Sequence, residues 1–279
     1  MTPRRGELAT IVGLVVALLG IAWFVADRTT ETLHPYQVQM VELLDGLGGA
    51  DVDHRVVVLG TSLDRNALGT AAELSAVLST EDRRVGAVNL GYSAAGYETF
   101  APILDRVWAA DPDVLVLQPD VFRPEVRDDE NTLRERLRRR FDPPDLAPLD
   151  TRRCPEQTDR AFETSVERNL ARHTTTVPYV AEALELVHHA ARNGVAIVLY
   201  VPPRSPPIIE AIDGVDEAWR AVLFDALAGE PNVIGPVEAG VELGLDSFCD
   251  WTHVNDDGRA VVSATVAALV HEALDRSDG

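Results

Sequence analysis

The chain has 279 residues, 46% of them hydrophobic, and carries 45 acidic against 25 basic residues for a formal net charge of −20. That length suits one α/β domain of about 200 residues plus an appendage. The acidic balance excludes the basic footprint that nucleic-acid phosphates demand, so no nucleic-acid partner is expected. Lysine is absent, and arginine supplies every fixed positive charge. Two readings of that usage stand, an acidic halophilic surface kept hydrated in salt and a GC-rich coding sequence; the first is preferred.

In chain order, Leu8 to Ala26 is a run of nineteen residues without a charge, close to the roughly 20 needed to cross a bilayer as a helix. Arg4 and Arg5 precede it, and that bias puts the N-terminus in the cytoplasm and the rest of the chain outside. A cleaved signal peptide is the competing reading, but the run exceeds the usual apolar region and Phe24 spoils a small-x-small site ending at Ala26. The expected organisation is a single-pass membrane anchor over 1–28, a stalk and lead-in helix over 29–53, and an α/β domain over 54–279.

Arg55 to Leu59 is a β-branched run that stops at Gly60, a buried strand entering a turn. A helix is expected over 67–78, a strand over 85–90, a helix over 97–110 and a third strand over 113–118. Residues 178–192 form an amphipathic helix with Val180, Ala181, Leu184, Val187 and Ala191 on its inward stripe. Strand four covers 195–201, a helix 215–228, a short last strand 232–234 and the closing helix 258–274. Strands alternating with helices predict a flavodoxin-like three-layer α/β/α domain on a parallel five-stranded sheet, preceded by one transmembrane helix. The segment over 121–177, rich in arginine and acidic residues, is too long for an ordinary connection. It reads as an insertion, either a lid over the sheet edge where ligands bind or a solvated charged loop.

Ser62 falls two residues past the first strand, at the mouth of a strand-turn-helix. A hydroxyl there is presented at the carboxyl edge of the sheet, beside helix N-terminal amides that stabilise an oxyanion. A Ser or Thr at that place also serves as an ordinary helix cap. Asp250-x-x-His253 shifts the balance, because it lies after the last strand and before a helix, at the same sheet edge. Its spacing lets the carboxylate bond one imidazole nitrogen while the other faces a nucleophile.

The order and surroundings of these residues resemble the SGNH, or GDSL-like, hydrolase family. LGTSLDRN around Ser62 is similar to its first block, DWTHVNDDG from Asp250 to its last, and VNLGYSAAG to its second. The resemblance implies Ser62 as nucleophile, His253 as base and Asp250 as its orienting partner. It also implies an oxyanion hole from the amide of Ser62 and from Gly91, with Gly96 the second match. The third block departs from the pattern: the family's asparagine donor is missing from DVLVLQPDVF, and either Gln118, one position away, or a residue of the 121–177 segment stands in for it.

The resemblance implies a serine esterase or O-acyltransferase acting on acyl groups, acetyl by family habit, carried by a saccharide or small ester, with no cofactor and no metal. A non-catalytic binding or assembly protein of the cell envelope is the rival, and a purely structural envelope protein a weaker third. Cys154 and Cys249 form one disulfide or remain two thiols; outside the cytoplasm the bridge is favoured. His188 and His189 read as solvated or interfacial, and Asp256 and Asp257 as capping residues of the last helix. Asp64 and Arg65 adjoin Ser62 at the pocket edge or simply face solvent.

Overall fold

A computed structural model of the chain describes residues 15–18, 20–21, 33–93, 95–123, 162–164, 166–167, 178–212 and 215–277. Backbone contacts divide the chain into a unit of Met1–Val38 with Arg127–Leu146 and a unit of Gln39–Val126 with Ala147–Gly279. In the first, Val15, Val16, Leu18 and Ile21 are helical and exposed. Among the described residues no helix is long and apolar enough to cross a membrane. Most of the expected 8–26 span lies outside those residues.

After helix α1 (Pro35–Gly48), the larger unit runs β1 (His54–Leu59), α2 (Ser62–Leu68), α3 (Ala71–Leu78), β2 (Val85–Asn89), α4 (Tyr97–Phe100), α5 (Leu104–Ala109) and β3 (Val114–Leu117). It continues with α6 (Val180–Arg192), β4 (Ala196–Val201), α7 (Pro206–Ile212), α8 (Val215–Leu227), β5 (Val233–Glu238) and α9 (Asp256–Ser277). The strands are parallel in the order β2-β1-β3-β4-β5. This is the flavodoxin-like order, and its direction of winding reverses between β1 and β3. Ligands of such sheets bind outside the strand ends at that reversal, which is where the chain leaves β1 for Ser62.

Both faces of β1 to β4 are covered, which is why their cores read as apolar runs, whereas the edge strand β5 is largely exposed. Val56 and Val58 of β1, Val114 and Val116 of β3, and Val198 and Tyr200 of β4 share one core with Leu74 and Leu78 of α3. Val262, Val266, Val270 and Leu274 of α9 close that core. The alternate residues Val57, Leu59, Leu115, Leu117, Ile197 and Leu199 point to the opposite face, and they are also fully buried. There α6 packs on β4 and against α8. The register sets Val58 beside both Asn89 and Val116, so the carboxyl ends of β2, β1 and β3 finish level.

Several elements differ from the sequence expectation. The helix expected over 67–78 is two, because α2 ends at Leu68 and Thr70 caps α3, accepting from the Glu73 amide at 3.2 Å. The helix expected over 97–110 is interrupted by a 3₁₀ turn at Ala101–Ile103, where Pro102 sits. Proline lacks an amide hydrogen and crowds the preceding turn. In α6 the buried residues are Ala183, Leu186, Val187 and Ala190, while Ala181 and Ala191 are exposed. The inward stripe is therefore rotated from the expected one, because apolar residues lie on more than one side of the helix and only the sheet selects among them. The last strand extends to Glu238, past the expected 234, and carries a register irregularity between Val198 and Tyr200 of its neighbour. Helix α7 was not among the expected elements; Pro206 and Pro207 stand in its first turn, where a missing amide hydrogen is tolerated.

Candidate active site

The nucleophile turn is built at the end of β1. Gly60 O accepts from Tyr92 N at 3.2 Å and Leu59 O accepts from Gln118 N at 3.2 Å, so extensions of β2 and β3 hold the turn from both sides. Thr61, not Ser62, caps α2: its hydroxyl accepts from the Leu63 amide at 3.2 Å, and its own amide donates to Asp64 Oδ2 at 2.7 Å. The cap role that competed for Ser62 thus falls to its neighbour, and the Ser62 hydroxyl is left to meet His253. As the first helical residue, Ser62 has no carbonyl one turn back for its amide, which has no acceptor among the described residues.

Asp250 and His253 lie on a closed loop. Phe248 and Val254 bridge antiparallel, Cys249 N donates to His253 O at 2.9 Å, and Asn255 N donates to Ser247 O at 2.9 Å. Inside it, Asp250 Oδ1 accepts from the amides of His253 at 2.6 Å and Thr252 at 2.7 Å, and from the Thr252 hydroxyl at 3.1 Å. Its Oδ2 lies 2.6 Å from His253 Nδ1, and His253 Nε2 lies 3.1 Å from Ser62 Oγ. Asp250 is 7% exposed. Burial opposes its charge, yet the hydrogen bond and charge of His253 and the amides of Thr252 and His253 together hold the carboxyl below its ordinary value. Asp250 therefore stays an acceptor, His253 Nδ1 carries the proton between them, and Nε2 is the nitrogen turned to the serine.

The expected oxyanion donors fare unequally. The Gly91 amide donates to Asn89 Oδ1 at 3.0 Å in a buried setting, and Asn89 is held by the carbonyls of Asp64 and Gly69 at 3.0 and 3.1 Å. A Cβ at residue 91 would lie 2.6 Å from Thr61 O and 3.0 Å from Arg65 N, so glycine is required for close packing against the nucleophile turn. Gln118 is fully buried: its Oε1 accepts from Thr61 N at 2.8 Å and its Nε2 donates to Asp120 Oδ2 at 2.7 Å. The geometry gives Gln118 a clamping part instead of the donor part expected of it. Gly96 caps α4, with its amide 3.4 Å from Thr99 Oγ1.

Around the site, Asp120 pairs with Arg123 and, at 3.4 Å, with Arg204, all three buried. Trp251, inside the Asp250 loop, meets Phe162 edge-on with ring centroids 4.9 Å apart, so a described part of the 121–177 segment rests on that loop. Cys249 is disulfide-bonded. Cys154, the other half of the expected bridge, lies outside the described residues. A cavity of about 490 Å³ opens beyond β4 and β5, lined by Arg204, Arg220 and Leu243 among others; Ser62, Asp250 and His253 are not in its wall.

Remaining expectations resolve by contact. His188 is exposed and lies 3.2 Å from Glu230, and His189 stacks on Trp108. Asn255, ahead of Asp256 and Asp257, caps α9, its side chain accepting from Asp257 N and Gly258 N at 3.0 and 3.1 Å. Asp64 is fully buried instead of lining a wet edge, and burial, opposed by the bonds from Tyr200 and Thr61, raises its carboxyl to about 7. Thr61-x-x-Asp64 is a capping-box pattern that was legible in the sequence. Nothing in the sequence marks Tyr200 as the long-range companion of Asp64, or Ser205 as the donor to the Trp251 carbonyl.

No protein-family model and no curated protein matches the chain. Among solved structures it is similar to a GDSL-like lipase from Bacteroides thetaiotaomicron VPI-5482, at 12% identity over 87% of this chain and 98% of that one, TM-score 0.47. It is also similar to the inhibitor-bound aryl esterase of M. smegmatis, at 14% identity over 78% and 99%, TM-score 0.42. Est24, a carbohydrate acetylesterase from Sinorhizobium meliloti, matches at 9% identity over 79% and 99%, TM-score 0.40. At such identities and TM-scores, the chemistry of the site is read from its own geometry.

Proposed function

We propose that this chain is a serine esterase or O-acyltransferase of the SGNH type. The observation that carries the reading is the continuous relay from Ser62 Oγ through His253 to Asp250, at 3.1 and 2.6 Å, between segments 191 residues apart. In the proposed reaction Ser62 Oγ bonds to the carbonyl carbon of an ester while its proton passes to His253 Nε2. The imidazolium is stabilised by Asp250. The Ser62 amide donates to the oxyanion. Collapse breaks the bond to the leaving alcohol, which takes the proton from Nε2. Water or a sugar hydroxyl then repeats the sequence in reverse, giving an acid or a new ester.

The proposed substrates are ester-linked acyl groups, acetyl foremost, on glycans outside the cytoplasm. The chain would be held at the cell membrane by residues 8–26, with the domain on the outer side and an acidic surface suited to high salt. A second reading, a binding protein of the envelope with weak or no turnover, is favoured by one observation: the Gly91 amide is given to Asn89 and both ends of the Gln118 amide are committed. Each lost oxyanion donor costs about 10² to 10³ in rate, so with two of the three expected donors committed elsewhere the Ser62 amide supports a weakened esterase.

A fluorophosphonate probe applied to the full-length chain in low and high salt tests both readings. The expected result is labelling of wild type that disappears in Ser62→Ala and His253→Ala. Labelling that persists in Ser62→Ala removes the nucleophile assignment, and no labelling in any salt leaves the binding reading. Membrane fractionation, and protease added to intact cells, test the anchor and the outward placement.

A further inference from the structure

The two halves of the relay come from distant segments, and one short stretch of chain touches both. Tyr200, near the end of β4, donates its hydroxyl to Asp64 Oδ1, and the other oxygen of that carboxylate accepts the Thr61 amide at 2.7 Å. Thr61 is the residue before Ser62. Five residues after Tyr200, the Ser205 hydroxyl donates to the carbonyl of Trp251, between Asp250 and His253. Tyr200, Asp64 and Ser205 are all fully buried, and none of them reaches the reacting atoms.

A second path runs from the same stretch to the same amide. Arg204 pairs with Asp120 at 3.4 Å, Asp120 accepts from Gln118 Nε2 at 2.7 Å, and Gln118 Oε1 accepts from Thr61 N at 2.8 Å. Both acceptors of the Thr61 amide therefore lead back to residues 200–205. The stretch is anchored from β5: Tyr200 and Val201 pair with Val237 and Glu238, just past the last β3–β4 pair at Leu199, and Pro202 and Pro203 within it fix their own φ. Gly60 belongs to the same device, because a Cβ there would overlap the Asp64 carboxylate.

We propose that the segment Tyr200 to Ser205 is the alignment element of the active site, with Asp64, Tyr200 and Ser205 as positioning residues that set the reach between Ser62 and His253. The inference rests on the esterase reading for its consequence in rate, but not for its geometry. A nucleophile and base held from one strand end keep their separation when either loop fluctuates, and a displacement of about 1 Å at such a site costs on the order of 10² in rate.

The test uses the full-length chain and variants that each remove one buried hydroxyl: Tyr200→Phe, Ser205→Ala and their combination. Ser263→Ala is the control: its hydroxyl bonds the Ala67 carbonyl at 3.0 Å, on the same helix as Ser62 but on neither path, so it reports the loss of a buried hydroxyl against α2 alone. Three readouts are taken: fluorophosphonate labelling at Ser62, the kcat and KM of p-nitrophenyl acetate hydrolysis, and the ring-nitrogen NMR shifts of His253. The expected result is about a tenfold fall in kcat and labelling for each single variant and about 10² for the double. KM is unchanged, the His253 Nε2 resonance moves, and Ser263→Ala stays within about twofold on the same scale.

Kinetics in Tyr200→Phe and Ser205→Ala that match Ser263→Ala, with an unmoved Nε2 resonance, overturn the proposal. A wild type that never labels removes the esterase reading instead; the Nε2 resonance then decides alignment, moving in Tyr200→Phe and Ser205→Ala if the proposal holds and staying put if it fails. Should Tyr200→Phe not fold, Ser205→Ala carries the test alone by the same criteria.

Discussion

Asp64→Asn makes a prediction about stability that can be worked from burial and bonding. Asp64 is fully buried, and its carboxyl is raised from 3.8 to about 7, first by burial, then by the neighbouring charge of Asp120, against the lowering bonds from Tyr200 and Thr61. Tyr200 is itself pushed well above its ordinary value by burial and by Asp64, so it remains a donor throughout. A carboxyl raised on folding contributes stability that is fully present below its unfolded value and is lost as pH rises through the folded value near 7. Three pH units at about 1.4 kcal/mol each amount to a loss on the order of 4 kcal/mol.

Asparagine mimics the protonated acid: its oxygen accepts from the Thr61 amide, and its NH2 donates to the Tyr200 oxygen, whose hydroxyl turns to accept in the variant. The variant is therefore expected to match wild type near about pH 4 and to exceed it by a few kcal/mol near about pH 8. Asp250, whose carboxyl is lowered, contributes with the opposite sign at acid pH, but it does so in both proteins and cancels in the difference. Urea unfolding of both proteins across that range measures it. A wild-type minus variant difference that stays flat with pH would refute the reasoning, because no buried titrating carboxyl would then be present.

Asp250→Asn keeps an oxygen for the amides of Thr252 and His253 but turns a donor toward Nδ1, reversing the imidazole tautomer; kcat should fall by about 10⁴ with KM little changed, and a loss under tenfold would contradict the assigned role. Gly91→Ala drives a methyl against Thr61 O and Arg65 N, and thermal unfolding should report a loss of about 1 to 3 kcal/mol. Phe162→Ala removes an edge-on aromatic contact worth about 0.5 to 1.5 kcal/mol on the Trp251 loop, to be read as a lowered Tm. Thiol titration of the unreduced, denatured chain should find no reactive cysteine, and two after reduction, consistent with the bonded state of Cys249.

Local chemistry was the legible part. The apolar runs of β1, β3 and β4 announce strands buried on both faces, and the strand-turn-serine and Asp-x-x-His patterns each lie within a few residues of a strand end. Their meeting could be inferred because parallel strands deliver their carboxyl ends to one edge. The α6 stripe and the two-helix break before Thr70 were misread, because propensity and spacing do not say which of several apolar faces a sheet will select.

The sequence by itself determined the strand-helix alternation, the acidic charge balance and the residue types of the relay, since these follow from composition or from patterns within one turn or one strand. Only the tertiary structure decided that Thr61 takes the cap and releases Ser62, that Gln118 clamps the turn instead of facing the oxyanion, and that Asp64 is buried against Tyr200, 136 residues away. Such partners have no fixed spacing along the chain, because a buried polar group must find its hydrogen bond wherever the sheet brings a donor or acceptor within reach.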